Sequence, residues 1–148
     1  MLLTSSVRPP AARVHNWRMN RRALATALRV LGPLEARIMR IVWTGLVPDQ
    51  FVVWDVNGRM PELAYTTVMT TVARLAEKGL LSVERLPRER AVRYRAAASP
   101  EQFLASVSRD YVDQLVGMLG DSALAAFEAR LEQLGPEQRR RLRELAGQ

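Results

Sequence analysis

The chain contains no cysteine, which excludes disulfides, thiolate metal sites and a cysteine nucleophile. Its one histidine, His15, lies in a polar N-terminal stretch beside Pro9 and Pro10. A lone histidine in such a tail reads as solvated, and a hydroxyl nucleophile elsewhere would lack a base. Clustered ligands at metal-binding spacing are missing, as are a glycine-rich phosphate loop and a carboxylate pair near an apolar pocket. The expectation is therefore no catalytic residue, no metal, no cofactor and no enzymatic activity. No apolar run approaches the roughly 18 residues that a membrane span needs, so membrane insertion is not expected. No apolar segment follows the early arginines, so the start does not read as a signal peptide, and the protein is expected in the cytoplasm. Lysine is nearly absent: of 22 basic residues, Lys78 is the only lysine. Such a bias can follow genome base composition, so arginine richness alone does not name a polyanionic partner.

What is present fits a small globular protein. The 148 residues are 48% hydrophobic and carry a formal net charge of +7, enough for one compact domain and an accessory region. The charge is uneven. Residues 1–32 hold arginines and no acid, residues 33–98 are mildly basic, and residues 99–148 are mildly acidic.

The most informative stretch runs from Ala64 to Leu81. Read at helical spacing, Val68, Val72 and Leu75 fall on one face, while Thr66, Thr70 and Arg74 fall on another. The first stripe can enter a core. The second offers hydroxyls, methyls and a guanidinium with almost no negative charge, chemistry that suits a helix lying in a DNA major groove. Threonine-rich faces also occur on ordinary solvated helices, so the face alone does not decide. Gly79 ends the helix, with Lys78 in its last turn where the dipole favours a cation. Leu81–Leu86 then reads as a strand, Pro87–Arg90 as a turn, and Ala91–Ala96 as a second strand with Val92 and Tyr94 on one side. A helix followed by a hairpin with an arginine-bearing tip is the layout of a winged helix.

Leu31-Gly32-Pro33-Leu34-Glu35 with Ile38, Met39 and Trp43, then Leu63 to Thr70, then Arg74-Leu75 and Lys78 to Leu81, resemble the penicillinase-repressor family. That family contains the β-lactamase and methicillin-resistance repressors and some copper-responsive repressors. The resemblance covers roughly residues 31 to 147. It implies a mainly α fold with a small β-hairpin: a winged helix-turn-helix domain followed by an all-α dimerisation region. The expected organisation is a basic, partly disordered N-terminal extension (1–30), a DNA-binding domain (31–98) and a helical dimerisation region (99–148).

Taken in order, Leu24, Ala27, Leu28 and Leu31 are spaced for a short amphipathic helix, with Arg21, Arg22 and Arg29 off its apolar face. This basic start could mimic a transit peptide. It also fits an extension before the domain, or a translation start placed ahead of Met19. Gly32-Pro33-Leu34-Glu35 opens a helix that buries Leu34, Ile38, Ile41 and Val42, and Trp43 closes it. Phe51–Met60 is ambiguous. Locally it reads as strand, Asn57-Gly58 turn, strand; the resemblance instead implies the first helix of a helix-turn-helix, burying Val52, Val53, Val56 and Met60. Relatives have a polar, helix-forming sequence here, so Asn57-Gly58 is a departure.

Ser99-Pro100-Glu101 is a helix N-terminus. Phe103, Val107, Tyr111, Leu115 and Met118 form an apolar stripe, which Gly120-Asp121-Ser122 interrupts. Leu124, Phe127, Leu131 and Leu134 then repeat like a helix-packing seam. Pro136-Glu137 starts a third helix, with Leu142 and Leu145 apolar. Three amphipathic helices after a wing have little domain left to cover, so the expected partner is a second copy of the chain. The alternative is a monomeric cap folded back on the winged helix.

The expected function is a homodimeric transcriptional repressor on a palindromic double-stranded DNA operator. Tyr65, Thr66 and Thr67 with the first-turn amides would hold phosphate. Thr66, Thr67 and Thr70 would touch base edges, and Arg74 a phosphate or guanine. Arg88, Arg90 and Arg93 of the wing would touch backbone or minor groove, although Arg88 and Arg90 also suit a solvated surface. Phe103, Val107, Tyr111, Leu115, Leu124, Phe127, Leu131 and Leu134 would form the dimer seam. The other class that fits is a winged-helix protein-interaction module without sequence-specific DNA binding. In β-lactam-responsive relatives a membrane sensor protease triggers cleavage between an asparagine and a phenylalanine near the start of the dimerisation helices. The matching residues here are Gln102 and Phe103, and Phe103 also begins the apolar stripe. Copper-responsive relatives carry a cysteine cluster, which this chain lacks.

Overall fold

The structure is a computed structural model that describes residues 20–147. The readings of His15, Pro9-Pro10 and the disordered start fall outside those residues. The chain is mostly helical, with seven helices and one two-stranded antiparallel hairpin among the described residues. It divides into two compact units, residues 1–105 and 106–148.

In the first unit, α1 (Arg21–Val30) starts on Asn20, whose side-chain oxygen accepts hydrogen bonds from the Arg22 and Ala23 amides at 3.1 and 3.3 Å. This cap meets two of the donors that a helix start leaves unpaired. Ala27 and Leu28 are buried, and Leu24 and Leu31 pack against the same core. α2 (Pro33–Trp43) has Gly32 at its N-cap and proline in its first turn, as the sequence predicts. Ile38, Met39, Ile41 and Trp43 are buried, with Leu34 and Val42 half-buried against them. The Trp43 indole N–H donates to the Ala98 carbonyl at 2.9 Å, satisfying the polar end of a buried ring.

The ambiguous stretch resolves in favour of a helix, α3 (Val53–Gly58). One fragment of the strand reading survives: Phe51 forms an isolated antiparallel bridge with Tyr94 through two backbone hydrogen bonds of 2.9 and 2.8 Å. The Asp55 carboxylate accepts from the Val52 amide at 2.9 Å and closes the helix start. Val53, Val56 and Met60 are buried as expected. Val52 is not: it occupies the N-cap, off the inward face, and is half-buried. The Asn-Gly pair does not make a hairpin turn. Asn57 is buried, and its carboxamide donates to the carbonyls of Leu63 (3.0 Å) and Met60 (3.4 Å).

α4 (Tyr65–Glu77) follows. It ends on Gly79 at φ +79°, with the Leu80 amide donating to the Leu75 carbonyl and the Gly79 amide to Ala76, both at 3.0 Å. This is the left-handed glycine C-cap that the sequence predicts. Lys78 also pairs with Glu35 of α2 at 2.8 Å, tying the end of α4 to the start of α2. Arg37 pairs with Glu62 ahead of α4.

The wing consists of β1 (Leu81–Glu84) and β2 (Arg93–Ala96), in register from Leu81 opposite Ala96 to Glu84 opposite Arg93. Both strands are shorter than the sequence suggests: the ladder stops at Glu84 opposite Arg93, and Arg85, Leu86, Ala91 and Val92 lie outside it. Tyr94 is buried and Val92 packs against the core, while Val83 on the paired strand is exposed.

α5 (Pro100–Leu119) begins with a reciprocal cap. Ser99 Oγ accepts from the Gln102 amide at 3.0 Å, and Gln102 Oε1 accepts from the Ser99 amide at 2.9 Å. In the second unit, α5 ends at Gly120, φ +57°, before α6 (Asp121–Glu132) and α7 (Pro136–Ala146). Ala123 is the one buried side chain among described residues 106–147, and Tyr111 and Met118 are 60% and 70% exposed.

Candidate nucleic-acid interface

α4 is built with two opposed faces. Val68, Val72 and Leu75 are completely buried, with Thr71 beside them. Turned away from the core, Thr66, Thr67, Thr70 and Arg74 are exposed, and together with Leu34 and Thr71 they line a shallow groove. The buried stripe therefore presents the expected residues as one surface. Thr70 Oγ1 donates to the Thr66 carbonyl at 2.9 Å. With its proton engaged on the backbone, Thr70 offers an acceptor lone pair and a methyl, suited to an exocyclic amine or a thymine methyl.

The start of the helix is uncapped by any side chain: Ala64 is the N-cap, and its carbonyl accepts from Thr67 and Val68. The Tyr65 and Thr66 amides thus remain available at the positive end of the helix dipole. Tyr65 is half-buried, and its ring lies 4.3 Å, centroid to centroid, from that of Trp54.

The wing arginines differ from one another. Arg88 and Arg90 are exposed and have no ion pair among the described residues. Arg93 makes two hydrogen bonds to the Glu89 carboxylate, at 2.7 and 3.1 Å. The hydrogen bond from Arg93 holds the Glu89 carboxyl below the usual carboxylate value, and Glu89 in turn raises Arg93 above the ordinary guanidinium value. Arg93 is therefore not a free cation at neutral pH. Arg95 lies 3.3 Å from Glu84, which also accepts from Gln50.

The predicted seam residues separate too. Phe103 packs inside the first unit, its ring 6.2 Å from that of Trp43. Val107 and Leu134 are half-buried, whereas Tyr111, Leu115, Leu124, Phe127 and Leu131 are exposed. Gln102 is engaged in the α5 cap. Among the described residues no cluster of metal-binding side chains occurs, and no helix is long and apolar enough to cross a membrane.

Two residues of this region escape a motif-based reading. Trp54 was legible in principle: if Val53 and Val56 point inward, the residue after Val53 turns outward at 100° per position. Asn57 was not, because its partners lie beyond the helix that carries it.

Residues 31–148 match the penicillinase repressor family. The chain belongs to that family. It is a transcriptional regulator with a winged-helix fold, and α1 lies ahead of the matched region. No curated protein matches it. Two solved structures resemble it distantly. The transcriptional regulator PA4135 is 18% identical, with 79% of this chain and 87% of that one covered and a TM-score of 0.42. NadR in complex with 4-hydroxyphenylacetate is 19% identical, with 86% and 84% covered and a TM-score of 0.40.

Proposed function

We propose that this member of the penicillinase repressor family binds a palindromic operator as a homodimer and represses the adjacent gene. The observation that carries the reading is the exposed Thr66-Thr67-Thr70-Arg74 face, backed by the fully buried Val68, Val72 and Leu75. In a helix-turn-helix the second helix enters the major groove with its N-terminal residues against base edges. Tyr65, Thr66 and Thr67 hold phosphate at its start, Arg74 reaches a guanine or phosphate, and Arg88 and Arg90 lie along the backbone. The homodimer is supported by the apolar side chains that α5, α6 and α7 leave exposed in a single chain, including Leu131 at 47%. Two copies burying them would set the half-site spacing. A cytoplasmic location follows from this role.

The test is selection of bound sequences from a random duplex pool, followed by gel shift at two salt concentrations. A dyad-symmetric site, with affinity that falls steeply as salt rises, is expected. Absence of duplex binding with a folded dimer would reject the reading and leave a protein-interaction module.

A further inference from the structure

Trp54 is 65% exposed on the first helix of the helix-turn-helix. Exposure of one apolar ring is ordinary by itself. What sets this indole apart is that it pairs an apolar body with a polar N–H, the chemistry of an interface residue, and that it sits against the start of α4. Its ring is held in place: it lies 4.3 Å from the Tyr65 ring with an interplanar angle of 33°. Tyr65 is the first residue of α4, the helix read here as the groove-reading one. The Trp54 Nε1–H and the Tyr65 hydroxyl have no hydrogen-bond partner among the described residues. The surrounding charge suits a polyanion. Arg59 and Arg74 of the same helix-turn-helix are exposed and unpaired among the described residues. Asp55, next to Trp54 in the chain, turns a carboxylate oxygen back onto the Val52 amide at 2.9 Å.

We propose that the Trp54–Tyr65 pair is a second, uncharged DNA contact that clamps the sugar-phosphate backbone beside the recognition helix. This rests on the DNA-binding reading above. The first helix of a helix-turn-helix crosses the backbone while the second enters the groove, so an exposed side chain on α3 next to the α4 start faces that strand. The indole lays its apolar surface against deoxyribose and its N–H donates to a phosphate oxygen, with the Tyr65 hydroxyl as a second donor. The tilted contact with Tyr65 restricts both rings before DNA arrives, so less side-chain freedom is lost on binding. The contact reads backbone, not bases, and therefore acts on every duplex.

An uncharged contact has a signature that a cationic one lacks. Each lysine or arginine that neutralises a phosphate adds about 0.9 to the slope of log affinity against log salt, whereas a tryptophan adds nothing. Binding of the full chain to a random-sequence duplex is measured by fluorescence anisotropy across a salt series, for wild type, W54A, W54F and R74A. W54A is expected to bind about 3- to 10-fold more weakly at every salt concentration, the scale of a lost hydrogen bond with its apolar contact, and with an unchanged slope. W54F, which keeps a ring but loses the N–H, falls between. R74A flattens the slope. Acrylamide quenching adds a direct readout: duplex should shield wild-type tryptophan emission more than that of W54F. Unchanged duplex affinity of a folded W54A overturns the proposal while leaving the operator reading intact. A fall in sedimentation mass for W54A overturns it by assigning the ring to a second copy. A wild-type chain that binds no duplex removes both.

Discussion

The Asn57 carboxamide donates to the Leu63 carbonyl at 3.0 Å from a position only 8% exposed. A side chain of the first helix thereby closes the turn that leads into the second. Gly58 ends α3 early, and the Arg59 and Met60 amides fold back onto the carbonyls of Val56 and Asn57. The Leu63 amide donates to the Met60 carbonyl at 3.0 Å across Met60-Pro61-Glu62-Leu63, and the Asn57 carboxamide adds a side-chain tie to both the Met60 and Leu63 carbonyls. Asn57→Ala should lower stability by about 1–3 kcal/mol, the cost of leaving a buried carbonyl without its donor. Thermal or urea unfolding checks this. A melting curve superimposable on wild type would show that water replaces the carboxamide.

Base readout is tested on α4. Thr70→Ala combined with Arg74→Ala should weaken operator binding by about 1–3 kcal/mol per lost base contact and leave the fold intact. Both side chains are exposed on the face opposite Val68, Val72 and Leu75. Operator affinity equal to wild type, with an unaltered circular dichroism spectrum, would move the recognition surface elsewhere.

The wing holds a charge in reserve. Glu89 carries two hydrogen bonds from Arg93, so it competes with any phosphate for that guanidinium. Glu89→Gln should tighten binding to duplex DNA and steepen the salt dependence by about 0.9 in slope, the share of one added phosphate contact. The pH dependence has a definite sign. Because the folded state lowers the Glu89 pKa from 4.5, the stability it contributes is present above that value. It is lost as the pH falls through the lowered one. Wing ordering, followed by amide exchange, should thus weaken only in acid below the ordinary carboxylate range. Loss of wing protection near neutral pH would contradict this assignment.

Assembly is tested at Leu131. A charge placed in an apolar seam has no partner there, so Leu131→Asp should convert the dimer to monomer and reduce operator affinity. Sedimentation velocity decides between the outcomes. A variant that remains dimeric would put the seam on other residues of α5 to α7.

Release by proteolysis, which the family resemblance implies for β-lactam-responsive members, would make a further demand on this chain. Gln102 forms the α5 cap with Ser99 and Phe103 packs on Trp43, so the bond between Gln102 and Phe103 lies in a structured first turn. Cleavage there requires that turn to open. Exposing host cells to a β-lactam and following the protein by immunoblot should show a fragment cut at this bond, absent in Phe103→Ala. Persistence of full-length protein while target transcripts rise would assign release to another signal.

The amino-acid sequence by itself determined α2, α4, their ends and the threonine face. Those features depend on contacts three or four residues apart and on glycine and proline at helix ends, all of which are local in the chain. Tertiary structure alone decided the rest. Phe51–Met60 carries a local hairpin signal while the family resemblance implies a helix, and the helix forms with Val53 and Val56 in the core and Phe51 bridged to Tyr94. Phe103 belongs by spacing to the seam stripe, yet Trp43 takes its ring. Arg93 reads as a free wing cation until Glu89 pairs with it across the turn. Trp54 acquires a meaning only when the fold brings Tyr65 beside it. In each case the deciding partner is separated along the chain from the residue it governs, or held there by a turn, so helical or strand periodicity around that residue carries no record of it.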